Sequence, residues 1–516
     1  MNDSKQRKIG AILSYASIVV NTFIQLLYTP LLIRKLGQSE YGLYSLVASI
    51  IGYLTVMDLG FGNAIIVYTS KYRVQGKKEE EAILHGMFNR VFKIIGFIAM
   101  LLGMMLFFNV DTIFGNKMTT IEIEKMKIMM IILSFNLFFT FYFAIYNSII
   151  TAYEKFIFQK IMAIIHSLML PILMIPLLFL GYKSITLCII ITIANLFLLL
   201  SNYIYCKKRL KIDISYKGFN KDIFRTVIGY SIWVFLGVVV DKINWSVDNF
   251  VLGAVAGTIA VSVYSIAATL NTMFISLSTA ISGVMLPKIS KLVAKNTTTN
   301  ELTNEMIKTG RLQNYIIFLM CSGLVLFGKN FINIWAGPGF EESYIISLLL
   351  IVPICVPLIQ NVGLSIMQAM NKYKFKSVST FILAVVNVII SILFAKKWGA
   401  TGAALGTCIS LIICNIIIIN IYYYKEIKLD ILRFWKSIIK QIIPFSIPIF
   451  IILIFMFLIR LSGIAALIIY GGIYVMLYCG VAYTLSMNNY EKNIINNFLA
   501  KICFKRSEYG KNNWNK

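Results

Sequence analysis

The amino-acid sequence predicts an all-α polytopic membrane protein with about 14 transmembrane helices. Three observations support this fold class: long apolar runs without charge, an uneven distribution of Lys and Arg between alternate loops, and an internal repeat. Hydrophobic residues make up 59% of the chain and charged residues only 14%, whereas an ordinary soluble domain carries about 25% charged residues. A soluble core could not bury so many apolar segments, so a membrane is their expected environment.

The apolar residues fall in runs that are long enough to cross a bilayer, which takes about 20 residues in a helix. The runs at 9–33, 128–153 and 184–206, for example, contain no Asp, Glu, Lys or Arg. On this basis we place spans near 9–33, 41–66, 86–108, 126–150, 160–181, 184–206, 226–255, 259–287, 310–328, 344–369, 376–395, 399–424, 441–460 and 463–486.

The basic residues predict the orientation of these spans. The N-terminus, the tail and the loops after even-numbered spans, with the adjoining span ends, hold 35 of the 48 Lys and Arg residues, and the opposite loops hold 10. Because positively charged loops stay cytoplasmic, we expect both termini in the cytoplasm. The basic patches adjoin membrane spans, so topology and anionic lipid explain them better than nucleic acid does.

An internal repeat relates the two halves of the chain. An offset of six spans preserves orientation, so the repeats are parallel and predict two six-helix lobes around a central cavity, an arrangement typical of transporters. The matching pairs are Gly37 with Gly257, Tyr44 with Tyr264 and Ser45 with Ser265 at an offset of 220 residues, and Ala152 with Ala369, Lys155 with Lys372 and Lys208 with Lys425 at an offset of 217.

The repeat also sets the expected domain boundaries. We expect an N-lobe at 1–215 with helices 1–6 and a C-lobe at 216–430 with helices 7–12. Two peripheral helices at 431–490 have no repeat partner, and the basic cytoplasmic tail occupies 491–516.

Polar side chains inside the spans are the candidates for the cavity lining, because a polar group that faces lipid is costly. In span 1, Asn21, Gln25 and Tyr28 share one helix face. Hydrogen bonding between helices is the structural alternative, and for a single Asn or Ser it is the simpler one. The other uncharged candidates are Asn63, Asn136, Asn244, Tyr264, Asn271, Asn361 and Gln368.

Ionisable residues inside the spans are a stronger indication of function. The candidates are Asp58, Arg90, Lys93, Asp241, Lys242 and Asp248, with Arg34 at the outer end of span 1. Structural alternatives exist for several of them. Asp58 could pair with Arg90, Arg90 and Lys93 could extend toward the interface, and Arg34 could anchor span 1 there.

Motifs for covalent chemistry are absent from the sequence. It contains no G-x-x-x-x-G-K-[ST] phosphate loop, no C-x-x-C pair and only 2 His residues. We therefore expect neither an enzyme nor a metal site, and no cofactor. Coupling to a proton or sodium gradient stays open.

Several segments together resemble the Wzx-type polysaccharide-repeat flippases (O-antigen, capsule and exopolysaccharide) of the multidrug/oligosaccharidyl-lipid/polysaccharide (MOP) exporter superfamily. L-Y-T-P-L-L-I-R-K-L-G at 27–37 is similar to their first-loop signature, and D-L-G-F-G-N-A at 58–64 to their second-span motif. D-N-F-V-L-G at 248–253 resembles their span 7–8 junction, and I-W-A-G at 334–337 with W-G-A-T-G-A-A at 398–404 their C-terminal half. The likeness extends to about residue 440.

The resemblance implies a flippase that moves undecaprenyl-pyrophosphate-linked oligosaccharide repeat units from the cytoplasmic to the outer leaflet by alternating access. It implies surface polysaccharide biosynthesis at the bacterial cytoplasmic (inner) membrane. The expected partners are this lipid-linked glycan, membrane lipid, and the polysaccharide polymerase and ligase that act next, with no nucleic acid and a monomeric protein. The alternatives are an ion-coupled drug exporter of the same superfamily, a membrane-embedded glycan polymerase or ligase, and a flippase for the peptidoglycan lipid precursor.

Overall fold

A computed structural model describes residues 3–216, 218, 224–225, 235, 239, 242, 247–282, 286–295, 297–370, 372–459, 461 and 463–497. Most of predicted span 7 and the end of the basic tail lie outside these residues. The structural statements below concern the described part of the chain.

The described chain is helical and contains no strand, which confirms the predicted fold class. Shorter helical segments lie at 247–255 and 489–497. The α-helices are α1 (Asp3–Leu36), α2 (Gln38–Leu54), α3 (Phe61–Val74), α4 (Lys78–Phe108), α5 (Val110–Phe114), α6 (Thr120–Tyr142), α7 (Ala144–Ala152), α8 (Phe156–Phe179), α9 (Ser184–Lys208), α10 (Thr258–Ser282), α11 (Leu286–Ala294), α12 (Thr299–Trp335), α13 (Glu342–Ile359), α14 (Asn361–Ala369), α15 (Tyr373–Leu411), α16 (Ile419–Lys425), α17 (Ile431–Ile442), α18 (Ser446–Leu458) and α19 (Gly463–Val481).

Among the described residues, 12 helical segments are long and apolar enough to cross a membrane. One of them, Tyr373–Lys425, contains two predicted spans, 376–395 and 399–424. The chain turns between these spans at Trp398 and Gly399, where Gly399 has φ 55°. Glycine adopts this left-handed conformation without the steric cost of a Cβ atom.

Predicted span 41–66 is not one continuous helix. It breaks between α2 and α3, where Leu59 has φ 52° and Gly60 has φ 74°. The Asp58 carboxylate accepts hydrogen bonds from the backbone N–H groups of Gly60 and Gly62 at this break. The side chain thus satisfies backbone groups that a helix would otherwise pair, which water cannot do inside a bilayer.

The helix boundaries repeat at the same offsets as the sequence. Helices α2 and α10 begin 220 residues apart, and each follows a glycine with positive φ, 86° at Gly37 and 85° at Gly257. Helices α7 and α14 are both 9 residues long and end 217 residues apart, at Ala152 and Ala369. The internal repeat is therefore present in the local structure of both halves.

The chain forms two compact units. The first unit comprises Met1–Ser276, Trp335–Leu350 and Phe375–Cys414, and the second comprises Leu277–Ile334, Ile351–Lys374 and Asn415–Lys516. The lobes expected at 1–215 and 216–430, the helices at 431–490 and the tail at 491–516 stay predictions.

Close helix packing in the first unit depends on small residues. Helix α4 packs on α6, and a Cβ atom at Gly103 would lie 2.1 Å from Ser134 Oγ. At Gly96 the same atom would lie 3.0 Å from the carbonyl oxygen of Phe138. Such close approach increases van der Waals contact, the main attraction between helices in lipid.

In the second unit, α18 and α19 pack one face against α12. The aromatic core includes Tyr315 of α12 with Phe445, Tyr474 and Tyr478, and the rings of Phe445 and Tyr478 stack with centroids 4.1 Å apart. The opposite faces carry exposed apolar side chains suited to lipid: Phe450, Phe457, Ile464 and Ile468.

A buried ion pair fixes the end of this C-terminal region to α12. Arg311 Nε donates to Glu491 Oε1 at 2.6 Å, and its Nη2 donates to Oε2 at 2.9 Å. Nη2 also donates to the Ser486 carbonyl at 2.9 Å, and Tyr315 donates to Glu491 Oε2 at 3.1 Å. The side chain of Glu491 is 2% exposed, so loss of Arg311 would leave a buried charge without its partner.

We expect Arg311→Ala to lower the free energy of unfolding by about 3–5 kcal/mol, the usual cost of removing one partner from a buried pair. Thermal unfolding of the detergent-solubilised protein measures the change. Lys308→Ala on the same helix is the control, because Lys308 pairs with Glu305 in an exposed position and such pairs contribute little. Equal melting temperatures for the two variants would contradict the prediction.

Candidate functional site

A cavity of about 490 Å³ lies inside the first unit, where α4, the α6–α7 junction and the end of α9 meet the chain that follows α9. We name it the tyrosine–lysine cavity. It is lined by Asn89, Lys93, Tyr142, Phe143, Tyr146, Tyr203, Cys206, Lys207, Ile212, Asp213, Ile214 and Tyr216.

The chain at 209–216, here called the strap, closes one side of this cavity. Its backbone bonds back to α9, where Leu210 N donates to Tyr205 O at 3.1 Å, and to α4, where Ser215 N donates to Ala82 O at 3.0 Å. The strap lies directly on Gly86, since a Cβ atom there would be 1.9 Å from the Ser215 carbonyl oxygen. A glycine at 86 is therefore required for this close approach.

Two lysines face aromatic rings in the tyrosine–lysine cavity. Lys93 Nζ lies 4.7 Å from the ring centroid of Tyr142 and 5.7 Å from that of Tyr216. Lys207 Nζ lies 5.7 Å from the centroid of Tyr203. Aromatic faces attract cations, so the rings hold the ammonium groups beside the cavity while leaving their N–H donors available.

The aromatic wall is itself ordered by ring contacts. Tyr146 and Tyr203 meet edge to face with centroids 5.0 Å apart, and Phe143 and Tyr203 with centroids 5.9 Å apart. The break between α6 and α7 falls at Phe143, and the cavity-lining aromatic residues lie on both sides of it. The arrangement combines two lysines, the Asp213 carboxylate, tyrosine hydroxyls and apolar ring faces in one space.

A second cavity of about 310 Å³ lies on the other side of the strap. In its lining, the Arg73 guanidinium stacks 3.8 Å from the ring centroid of Tyr153, and Tyr153 donates to Glu81 Oε1 at 2.7 Å. Burial, together with this bond to the Glu81 carboxylate, raises the pKa of the Tyr153 hydroxyl. The hydroxyl therefore stays a neutral donor, and the cluster fixes α3 to the end of α7.

A buried cluster of oxygen atoms surrounds Asp248. Asp248 Oδ2 accepts a hydrogen bond from Tyr264 and another from Thr407 Oγ1 at 2.7 Å. Asn387 Nδ2 donates to Thr407 Oγ1 at 3.2 Å, and Ser391 Oγ lies 3.1 Å from Asn387 Oδ1 and 3.2 Å from the Ala403 carbonyl oxygen. We refer to these residues as the Asp248 cluster.

The Asp248 cluster could take up a small hard cation or a proton. Its candidate ligands are one carboxylate with hydroxyl, amide and carbonyl oxygens, which suit such ions and not soft transition metals. Asp248 is 2% exposed and Ser391 0%, so an ion here would be isolated from water. In the described chain, no group of three or more His, Cys, Asp or Glu side chains could hold a metal ion.

Helices α2 and α10, which are equivalent in the repeat, touch at one end of the first unit. A Cβ atom at Gly42 would lie 1.9 Å from the Thr258 carbonyl oxygen. In the helical segment 247–255 that precedes α10, a Cβ atom at Gly253 would lie 2.7 Å from Leu46. Thr258 Oγ1 also donates to Glu122 at 2.7 Å. At this contact, helices from the two halves of the repeat therefore pack directly against each other.

The structure places the candidate residues of α1 in different environments. Asn21 and Gln25 are half-buried, and Arg34 is exposed. Tyr28 is buried, and its hydroxyl has no hydrogen-bond partner among the described residues. The shared helix face is present, but only Tyr28 of these residues is deeply buried.

The two ionisable candidates that could have formed a pair do not do so. Asp58 bonds to backbone N–H groups, as described above, whereas Arg90 donates to the Tyr216 carbonyl oxygen. Asn63 is exposed. Arg90 therefore contacts the strap from α4, beside the tyrosine–lysine cavity, whereas Asp58 lies at the break in the second span.

The remaining candidates in the described chain lie outside the lining of the two cavities and outside the Asp248 cluster. Asn136 accepts a hydrogen bond from Asn195, which is the structural alternative for that residue. Lys242 Nζ lies near Gly52, and Asn271 is buried with Oδ1 unpartnered in the described part of the chain. Asn361 is half-buried and Gln368 exposed, both on α14 of the second unit. Asp241 and Asn244 lie outside the described residues.

Sequence reasoning missed several residues that the structure brings to these sites. Asn387, Ser391 and Thr407 join the Asp248 cluster from the predicted spans 11 and 12. The four-residue spacing of Asn387 and Ser391 is the same signal that indicated the polar face of span 1. Tyr203 and Lys207 also share this spacing, but Lys207 begins a basic patch that topology and anionic lipid already explained.

The family model described as polysaccharide biosynthesis protein matches residues 8–293, more than half of the 516 residues. This chain belongs to the polysaccharide biosynthesis protein family. The family membership agrees with the resemblance of its motifs. No curated protein sequence matches the chain.

Solved structures with the same fold include a lipid flippase and multidrug transporters. A lipid II flippase, MurJ, in an inward closed conformation has a TM-score of 0.71 and 19% identity, covering 92% of this chain and 98% of that one. An inward-facing MATE-family multidrug transporter of the MOP superfamily has a TM-score of 0.63 and 14% identity, covering 79% and 96%. The Vibrio cholerae MATE transporter VcmN has a TM-score of 0.56 and 13% identity, covering 83% and 97%. The family member described here therefore has the MOP fold.

We expect Gly86→Ala to displace the strap, because the added methyl group would overlap the Ser215 carbonyl oxygen. Limited trypsin digestion should then cut at Arg209 or Lys211 several-fold faster than in the parent protein. Gly323→Ala is the control, since it makes the same helical change where a Cβ atom meets nothing within 4 Å. Unchanged cleavage in Gly86→Ala would show that the strap does not rest on this glycine.

Proposed function

We propose that this protein is a flippase that carries a lipid-linked oligosaccharide repeat unit across the membrane for surface polysaccharide biosynthesis. The tyrosine–lysine cavity is the observation that carries the proposal, because it places Lys93 and several tyrosine hydroxyls among membrane helices and Lys207 at the exposed end of α9. Membership in the polysaccharide biosynthesis family supports the class of cargo.

The chemistry of the cavity suits an undecaprenyl-pyrophosphate-linked glycan. Lys93 and Lys207 supply charged donors for a pyrophosphate, and charge-assisted hydrogen bonds are the stronger kind. Tyrosine hydroxyls can both donate to and accept from sugar hydroxyls. The volume of about 490 Å³ suits a pyrophosphate with its first sugar, while the lipid tail stays among acyl chains.

Alternating access follows from the parallel repeat and from the contact between α2 and α10. Closure at Gly42 and Thr258 leaves no space for a side chain between these helices. In the proposal, the two helices separate at this end when the cargo is released. Parallel repeats that rock around a common site are a known transporter arrangement.

The Asp248 cluster is the proposed site of coupling to a sodium or proton gradient. One buried carboxylate among neutral oxygens changes its charge state when it takes up a cation or a proton. Its ligands come from the helical segment at 247–255 and from α10 and α15. Occupation of the cluster would therefore change the packing of three segments at once.

The proposal places the protein in the bacterial cytoplasmic membrane with both termini inside, because the predicted basic loops lie on that side. It acts as a monomer without enzymatic activity. The polysaccharide is an O-antigen or a capsule, and the polymerase and ligase that take up the flipped units are the proposed partners.

An ion-coupled drug exporter is the second candidate. The likeness to MATE-family transporters and the buried carboxylate of Asp248 favour it. The cationic side chains in the tyrosine–lysine cavity disfavour it, because they would repel a cationic drug. Drug susceptibility of the deletion strain separates the two candidates.

Deletion of the gene should trap lipid-linked repeat units in the inner leaflet and abolish surface polysaccharide. A plasmid copy should restore it, whereas a Lys93→Gln/Lys207→Gln copy should restore about a tenth or less, since two charge-assisted bonds are lost. The measurements are mass spectrometry of the lipid-linked glycan and an immunoblot of the surface polysaccharide.

The control for this experiment is Lys77→Gln/Lys208→Gln, which makes the same charge change at the start of α4 and the end of α9, away from the cavity lining. Membrane abundance of each variant is compared by immunoblot. Unchanged surface polysaccharide in the deletion strain would refute the proposed function. Full activity of Lys93→Gln/Lys207→Gln would remove the cavity from the transport path.

Coupling is tested by Asp248→Asn, which keeps the size of the side chain and removes its charge. In proteoliposomes with an imposed sodium or proton gradient, we expect the parent protein to flip a labelled lipid-linked glycan several-fold faster than without a gradient. Asp248→Asn should show no such stimulation. Asp111→Asn is the control, because Asp111 is exposed and pairs with Lys127. A gradient-stimulated Asp248→Asn protein would exclude the cluster as the coupling site.

A further inference from the structure

Helix α17 connects the last repeat helix to the C-terminal pair. It follows α16, which ends at Lys425, and precedes α18, which begins at Ser446. Asp430 caps its first turn by accepting a hydrogen bond from Arg433 N at 3.0 Å. It forms the start of the apolar segment Ile431–Leu458, and its Arg and Lys residues precede the uncharged part of that segment, which places α17 at the boundary of the bilayer.

One face of α17 is fixed to the second unit. Phe434 and Ile438 are fully buried, and a Cβ atom at Gly310 would lie 2.8 Å from the Phe434 ring. Gln441 Nε2 donates to the Arg311 carbonyl oxygen at 2.9 Å. Because this face of α17 is anchored, the remaining faces of the helix point away from the second unit.

Two exposed ridges run side by side along the rest of the helix. Residues spaced by three, four or seven positions lie on one helix face, and the two ridges occupy adjacent sectors on this criterion. The apolar ridge consists of Leu432 and Ile439, which are 73% and 57% exposed, and continues into Ile443, 63% exposed, in the turn that directly follows the helix. The basic ridge consists of Arg433, Lys436 and Lys440, which are also exposed.

Few acidic side chains neutralise the positive charge of the basic ridge. Arg433 donates to Asn300 Oδ1 at 2.8 Å, whereas Lys436 and Lys440 form no ion pair with any residue in the described chain. The acidic residues nearest in sequence are Glu426 and Asp430. Asp430 is used as the helix cap, and Glu426 precedes the helix, so the ridge itself presents only positive charge.

We propose that α17 lies in the membrane surface and binds phospholipids with a net negative headgroup. The basic ridge contacts the lipid phosphates while the apolar ridge enters the neighbouring acyl region. A helix with an apolar ridge beside a Lys- and Arg-rich ridge fits this position. Anionic lipids attract such segments by about 1 kcal/mol for each basic residue near the surface, so each lysine contributes roughly a fivefold gain in affinity.

The test uses the full-length protein in lipid nanodiscs of phosphatidylcholine with graded amounts of phosphatidylglycerol. Native mass spectrometry measures the apparent dissociation constant for phosphatidylglycerol. We expect Lys436→Gln/Lys440→Gln to raise it at least tenfold and to leave retention of phosphatidylcholine unchanged. Ile439→Gln, on the apolar ridge, should raise it severalfold.

The matched control is Lys396→Gln/Lys397→Gln, two exposed lysines before the turn in α15. It makes the same charge change beside another membrane span. An equal loss in both double variants would overturn the proposal, because binding would then follow total charge and not the α17 ridge. Unchanged binding in Lys436→Gln/Lys440→Gln would overturn it as well. The melting temperature without phosphatidylglycerol establishes that each variant is folded, and Lys440→Gln alone replaces the double variant if it is not.

Discussion

The backbone of a membrane-spanning segment has to satisfy its own hydrogen bonds, and the rest of this structure depends on that constraint. In lipid an unpaired N–H or C=O group costs several kcal/mol, so every described span is helical. The spans are interrupted only where the chain provides local partners. The Asp58 carboxylate does so at Gly60 and Gly62, and backbone bonds do so at Phe143 and Gln360. One of these breaks, at Phe143, contributes to the lining of the tyrosine–lysine cavity.

Small residues then decide how closely the helices approach. Gly42, Gly86 and Gly103 each lie where a Cβ atom would overlap a neighbouring atom at about 2 Å. Two of these contacts have functional consequences in the proposal. Gly42 closes α2 against α10, and Gly86 allows the strap to cover the tyrosine–lysine cavity. The glycines therefore define surfaces that can separate and close again without rearranging large side chains.

Charged side chains on the membrane helices are held in three different ways. Lysines of the tyrosine–lysine cavity rest against aromatic rings, Asp248 is surrounded by hydroxyl donors, and Arg311 forms a forked pair with Glu491. The aromatic rings leave the lysine N–H donors free for an anionic ligand, whereas the Arg311 donors already bond to Glu491 and to backbone oxygen atoms. This difference explains why we assign a transport role to Lys93 and a structural role to Arg311.

The sequence by itself determined the helical membrane fold, the approximate spans and the parallel repeat, because run length and residue spacing are local properties of the chain. Gly37 and Gly257, which the sequence pairs in the repeat, have nearly equal positive φ in the structure. Tertiary structure alone decided which polar residues meet. Asp248 and Thr407 are 159 residues apart in sequence, and Arg90 and Tyr216 are 126 apart. The sequence predicts both Asn136 and Asn21 as cavity-lining residues on the same grounds, yet Asn136 forms a hydrogen bond with Asn195. A polar side chain in an apolar run must face away from lipid, but only the packing of helices determines whether it then faces another side chain or a cavity.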